Sequence, residues 1–215
     1  TDNGTGINSY QGSLYGSYDA NPYYVDGALS FAWNHYAGSR RIVFGGIDRT
    51  ANADYDGQQF SGYLEGGHTF KHEGWKIIPS ASLQYLHLNI QSYTETDAGD
   101  VNLSVASQGY DLLQSGFGVK LAYPMETANG VFIPEVHAKW LYDFIGDKQE
   151  TTSTFTGGGA SFVSTGADPA RSALDLGAGL TFIFLKNTSV DAAYDFLQKQ
   201  DYISHSGVVT ARYQF

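Results

Sequence analysis

The 215-residue chain is long enough for one all-β domain, and no linker divides it. It has no cysteine, which excludes a disulfide framework and thiolate chemistry, and a net charge of -10 without a basic stripe argues against nucleic acid and anionic-lipid clusters as partners. Aromatic residues are 15% of the chain, with 16 Tyr, 13 Phe and 26 Gly against 5 Pro, a balance that suits closely packed amphipathic strands.

Nine strands follow from period-two alternation. The first, about residues 9–18, sets Tyr10, Leu14 and Tyr18 against Ser9, Gln11, Ser13 and Ser17. The second, 24–36, sets Val25, Leu29, Phe31 and Trp33 against Asp26, Ser30 and Asn34. The third, 59–70, sets Phe60, Leu64 and Phe70 against Gln59, Ser61, Glu65 and Thr69. The fourth begins near Trp75 and points Ile77, Ala81, Leu83 and Tyr85 outward. The fifth, 112–123, offers Leu113, Phe117, Val119, Leu121 and Tyr123. The sixth, 132–144, offers Val136, Trp140 and Tyr142 against Glu135, His137, Lys139 and Asp143. The seventh, 174–184, sets Leu174, Leu176, Leu180, Phe182 and Phe184 against Asp175, Gly177, Gly179 and Thr181. The eighth, 189–196, sets Val190, Tyr194 and Phe196 against Asp191 and Asp195. The ninth closes the chain as GVVTARYQF, with Gly207, Val209, Ala211, Tyr213 and Phe215 on one face and Arg212 on the other.

Three features place these strands in lipid. The apolar face of all nine carries no Asp, Glu, Lys or Arg, as a lipid face requires when a mid-bilayer Lys or Arg costs about 2–4 kcal/mol. Aromatics gather at both ends of that face: Trp33, Tyr85, Trp140 and Phe196 at one, Tyr18, Phe70, Trp75, Phe132, Phe184 and Tyr213 at the other. Connections alternate between short ones (19–23, 71–74, 124–131, 186–187) and long ones (37–58, 93–110, 145–172), with a short last loop near 198–201. The expectation is an antiparallel up-and-down transmembrane β-barrel of the outer membrane. Long loops face outside and short turns the periplasm. A soluble sandwich or a lipocalin-like barrel would need the sparse Gly, Ser, Ala and Gln face to meet water. No stretch reaches the roughly 18–20 apolar residues of a membrane helix, but alternating strands hide from that test. A chain that starts at Thr1 reads as a mature or excised segment, with residues 1–6 as loop.

The inward face should be hydrated and acidic: Asp26, Glu65, Glu135, Asp143, Asp175, Asp191 and Asp195 oppose Lys120, Lys139 and Arg212. Buried charges need partners, so Arg212 or Lys139 should pair with these acids or with a helix in the lumen. His137 faces inward beside Glu135 and Lys139, as part of a polar network or as a proton-transfer site. His205, between Ser204 and Ser206, points outward with no acid near it. His68 and His72 share a strand face roughly 13 Å apart and are poor metal ligands unless the turn that holds His72 folds back. His35 and His87 fall at the interface. Gly62, Gly66, Gly116, Gly118, Gly177 and Gly179 relieve crowding where strands curve or a ring covers bare backbone. Gly157–Gly159 has no following Lys and is no phosphate loop; it lies in a mobile surface hairpin. No catalytic, metal or cofactor site is expected.

The series SYQGSLYGSY, YYVDGALSFAW, FSGYLEGGHTF, WKIIPSASLQYLHL, LLQSGFGVKLAY, GVFIPEVHAKWLYDF, SALDLGAGLTFIF, SVDAAYDF and YISHSGVVTARYQF resembles, in order and from about Ser9 onward, the translocator domain of conventional autotransporters, the type V secretion proteins. The resemblance implies a twelve-stranded barrel threaded by a helix, which exports an N-terminal passenger and anchors it at the cell surface. It also implies that residues 1–215 are this domain without its first three strands and lumenal helix. Phe215, with Tyr213, then matches the terminal aromatic signal read by the barrel-assembly machinery. Expected partners are outer-membrane lipid, that machinery, the protein's own passenger and the missing strands. A diffusion porin or a small outer-membrane barrel enzyme is the alternative.

Overall fold

The computed structural model describes residues 3–146, 148–184 and 187–213. Among the described residues fifteen strands run in chain order: β1 (Gly4–Ala20), β2 (Tyr23–Phe44), β3 (Ile47–His68), β4 (Phe70–His72), β5 (Trp75–Ile90), β6 (Tyr93–Thr94), β7 (Leu103–Val105), β8 (Gln108–Ala122), β9 (Met125–Thr127), β10 (Gly130–Asp143), β11 (Glu150–Phe155), β12 (Phe162–Thr165), β13 (Ser172–Phe184), β14 (Thr188–Lys199) and β15 (Tyr202–Tyr213). The main sheet is antiparallel, in the order β1-β2-β3-β5-β8-β10-β13-β14-β15, so nearly every long strand pairs with the next long strand in sequence. β4 and β9 add to β5 and β10. The order ends at β1 on one side and at β15 on the other.

The sheet is curled, and its polar face is the concave one. Lys139 on β10 and Glu65 on β3 meet at 2.5 Å across the two intervening strands β5 and β8. With strands about 4.8 Å apart, side chains of this length meet across such a gap only where they converge. The opposite face is apolar, convex and bare: Leu14, Phe31, Phe117, Val136 and Val209 are all half-exposed or more. Among the described residues no large side chain is fully buried. An apolar face left open on this scale belongs in lipid, not water. The lipocalin-like arrangement, with apolar residues on the concave side, is the reverse of what is found.

The register confirms the phase of the nine strands. Tyr10 lies opposite Trp33, Leu14 opposite Leu29, Phe31 opposite Phe60, and Trp140 opposite both Phe117 and Leu174. Intervals such as Trp75 to Tyr85 match the roughly 9–11 residues a tilted strand needs to cross hydrocarbon. Two prolines sit inside strands, where a missing N–H normally breaks a ladder. Pro79 lies opposite His68, just past the last paired residues of the β3–β5 ladder, and Pro134 opposite the gap between β8 and β9. The continuous ladders on their other sides, to β8 and β13, are kept.

The strand ends differ from the sequence reading. Residues 37–58, expected as a long loop, are two strands that continue the β2–β3 hairpin, paired residue by residue from Tyr36 opposite Tyr55 to Phe44 opposite Ile47. Gly45 and Gly46 turn the chain at φ 54 and 86, a backbone turn that glycine adopts without strain. The segment is rich in Arg and Asp, which hid its alternation. β1 starts at Gly4 instead of near Ser9, because the extended β2 gives Gly4, Thr5 and Gly6 the partners Ser39, Gly38 and Ala37. The connections 93–110 and 145–172 are not featureless either. They contribute β6, β7, β11 and β12 to a second, four-stranded sheet in the order β12-β11-β7-β6.

Candidate functional site

The functional candidates are the concave face and the cap of loops at its long-loop end. Glu65 is the hub of the concave face. It accepts hydrogen bonds from Tyr24 Oη (2.9 Å), Tyr63 Oη (2.6 Å) and Lys139 Nζ (2.5 Å). Lys139 also donates to Tyr63 Oη at 3.1 Å and lies 5.6 Å from the Tyr63 ring centre. Two glycines keep its path clear. A Cβ on Gly116 would fall 2.7 Å from Lys139 Cε, and one on Gly118 would fall 3.1 Å from its Cβ. Tyr24 and Tyr63 escaped the sequence reading, although both share the phase of Asp26 and Glu65. Their apolar rings hid them among the lipid-facing aromatics.

The remaining inward residues form local pairs. Lys120 lies 3.6 Å from Glu135, and Arg212 lies 3.6 Å from Asp191, which also accepts from Thr181 Oγ1 at 2.8 Å. Asp26 takes a 2.5 Å hydrogen bond from Ser17, and Asp143 takes the backbone N–H of Ile145 at 3.1 Å. His137 turns away from its own-strand neighbours Glu135 and Lys139. It faces Asp195 across β13 instead, with Nε2 3.3 Å from Oδ1. Gly177 lies between them in register on β13 and has no side chain to hold them apart. Asp175, on β13 beside this pair, has an oxygen that is buried and without a hydrogen-bond partner.

The convex face turns polar at a sharp line. His35 pairs with Asp56 at 2.9 Å, and His87 pairs with Asp111 at 2.9 Å, which also accepts from Tyr85 Oη at 2.7 Å. These pairs lie just past Trp33 and Tyr85, so they mark where the hydrocarbon ends. His205 contacts Tyr194 Oη at 2.6 Å and packs beside Phe196 on the convex side. The ring of His68 packs edge-on against Tyr23 and at a tilt against Phe70, while His72 lies near Glu73 on the turn. Tyr213 ends β15 opposite Thr188. Phe215 lies outside the described residues.

Beyond that line the cap is built on the concave side of the β2–β3 hairpin. Arg40 grips Glu95 with two hydrogen bonds, of 2.9 and 2.5 Å, and donates to the Val101 carbonyl at 3.1 Å. Glu95 is 8% exposed and also accepts the Leu103 N–H at 2.8 Å, and its charge favours the protonated Arg40 further. Arg49 caps the Ala98 carbonyl at 2.7 Å, and Asn52 and Thr96 exchange backbone hydrogen bonds at 3.1 and 2.8 Å. Tyr36, Tyr55 and Tyr93 stack at 5.0 and 4.0 Å. Burial in that stack, helped by the neighbouring Tyr55, pushes the Tyr93 hydroxyl up to about 12. Ile42, Ala51, Ala98 and Val101 pack beneath.

The chain is similar to known proteins along its whole length. Outer membrane protein B of Rickettsia japonica is 26% identical over 98% of this chain, and that of Rickettsia conorii likewise. The chain spans 13% of the length of these curated relatives. Esterase EstA of Pseudomonas aeruginosa is 22% identical over 91% of the chain, which covers 30% of it. Two solved structures share the fold. The translocator domain of autotransporter NalP from Neisseria meningitidis has a TM-score of 0.71 at 20% identity, and this chain covers 70% of it. The β domain of the Bordetella autotransporter BrkA has 0.70 at 18%, with 77% covered. The family model for the autotransporter beta-domain matches residues 1–195, and with the lipid-facing convex surface and polar concave face it fixes the assignment: this chain belongs to the autotransporter beta-domain family of the bacterial outer membrane.

Proposed function

We propose that this chain is the translocator and anchor through which a passenger, encoded N-terminal to it, reaches the cell surface and stays displayed there. The carrying observation is the contrast of its faces: a convex face free of charge across its membrane-spanning part, and a concave face lined with acids, hydroxyls and ion pairs, against which a polar polypeptide can move without losing hydration. The loop end with the cap then faces outside and the tight turns face the periplasm. The sheet closes into a larger barrel of about twelve strands by pairing β1 and β15 with further strands of the same protein. The open order of the sheet, and the longer NalP and BrkA domains, support that reading.

We infer that the chain performs no catalytic step of its own. His35, His87, His137 and His205 are engaged with Asp56, Asp111, Asp195 and Tyr194, and none of the four is paired with a serine hydroxyl in the arrangement that activates one. Beyond lipid and passenger, its partner is the barrel-assembly machinery. The full-length protein tests the proposal in intact cells. Removing residues 1–215 should abolish passenger exposure to external protease, while the passenger accumulates inside the outer membrane. Passenger that still appears on the surface in normal amount sinks the proposal.

A further inference from the structure

On the concave face the acids are not all neutralised. Glu65, Glu135 and Asp191 have Lys139, Lys120 and Arg212, and Asp26 and Asp143 have hydroxyl or backbone donors. The unmatched negative charge therefore collects at Asp175 and Asp195, which converge on the imidazole of His137. One ligating atom from each of the three lies within 4.8 Å of the others. The residues come from three adjacent strands, with His137, Gly177 and Asp195 opposite one another in register and Asp175 two residues before Gly177.

Two further observations set this group apart from a chance gathering of acids. Asp175 Oδ1 is buried and has no hydrogen-bond donor, a costly condition that a cation relieves. Gly177 forms a floor without a side chain, where an added Cβ would fall 2.2 Å from His137 Cε1 and 2.7 Å from Asp195 Oδ1. Without a side chain at that position the imidazole and the carboxylate lie down together over β13.

We propose that His137, Asp175 and Asp195 form a binding site for a divalent transition-metal cation. The imidazole nitrogen selects Zn²⁺-like ions over Ca²⁺ or Mg²⁺, which favour all-oxygen sets. Three protein ligands leave a position for water or for a group from the translocating chain. The bound ion ties β10, β13 and β14 together inside the barrel.

The full-length protein, purified from outer membranes in detergent and stripped with chelator, is titrated with Co²⁺ and then with Zn²⁺. The expected result is saturable binding of one Co²⁺ per chain, with visible absorption of a nitrogen-ligated site, and displacement by Zn²⁺. His137→Gln and Asp175→Asn should each weaken binding by more than about tenfold, an effect at least as large as removal of an outer-shell partner. His72→Ala, on the distant turn, should leave it unchanged. Heat-modifiable electrophoretic mobility confirms that each variant is folded, and Asp195→Asn replaces any that is not. Absence of saturable binding overturns the site, as does affinity unchanged in the folded variants. Variants that alter the thermal stability of chelated protein which binds no metal would assign the cluster to a cationic side chain from another segment, and so would also overturn the metal.

Discussion

A single position shows how strictly the two faces are separated. Val119 lies mid-strand on the convex side, opposite Pro79 and Ala138, and is 40% exposed with no protein to cover it. Val119→Arg should cost about 2–4 kcal/mol of stability in a bilayer. Urea unfolding in lipid vesicles measures it, and an unchanged midpoint would mean that this position does not face lipid. Phe215 tests a different property. We propose that it serves the barrel-assembly machinery, which works by pairing strand edges, more than it serves the stability of the folded barrel. Its deletion is expected to lower assembly in cells far more than stability after refolding in detergent. Equal losses in both assays would leave only packing. For the inward charges, alternation supplies a shared strand face and nothing more. Asp26, Glu65, Lys139 and Asp195 were placed on one face by alternation alone. Which acid each cation meets was not legible, since Lys139 reaches Glu65 across two strands, a contact set by the curvature of the sheet.

At the scale of elements, the nine strand cores were legible because their alternation is strict and unbroken by charge on one face. Beyond the membrane that constraint lapses. Arg41, Asp48, Asp54 and Asp56 occupy the outward positions of the β2–β3 extension, so a strand there looks like a polar loop. The cap was hidden for a second reason: β6, β7, β11 and β12 are two to six residues long, and they are stable only through pairing between distant loops. Its anchor is the Arg40–Glu95 pair. Glu95→Ala leaves the Arg40 guanidinium and the Leu103 N–H without their acceptor, at a cost of about 1–3 kcal/mol. The expected outcome is faster amide exchange and protease cleavage in β6 and β7, with heat-modifiable mobility of the barrel unchanged. Exchange at the original rate would remove the pair from that role.

For the whole molecule, conductance tests the proposal that the chain is a passenger channel and not a diffusion porin. Ion pairs, tyrosines and the hairpin-bound cap crowd the concave side and its loop end. The full-length protein in planar bilayers is expected to give small, unsteady currents. A large and steady conductance would instead favour a diffusion pore. Charge-free alternation, two aromatic bands and the rhythm of short and long connections were enough for the sequence by itself to determine an outer-membrane up-and-down barrel. Those signals arise from lipid acting on each strand separately, so each strand carries them. Only the tertiary structure decided which groups meet inside: Glu65 with Lys139, His137 with Asp195 and Asp175, Arg40 with Glu95. These contacts depend on register, curvature and loop docking, which join residues far apart in the chain and leave no periodic trace within any one strand.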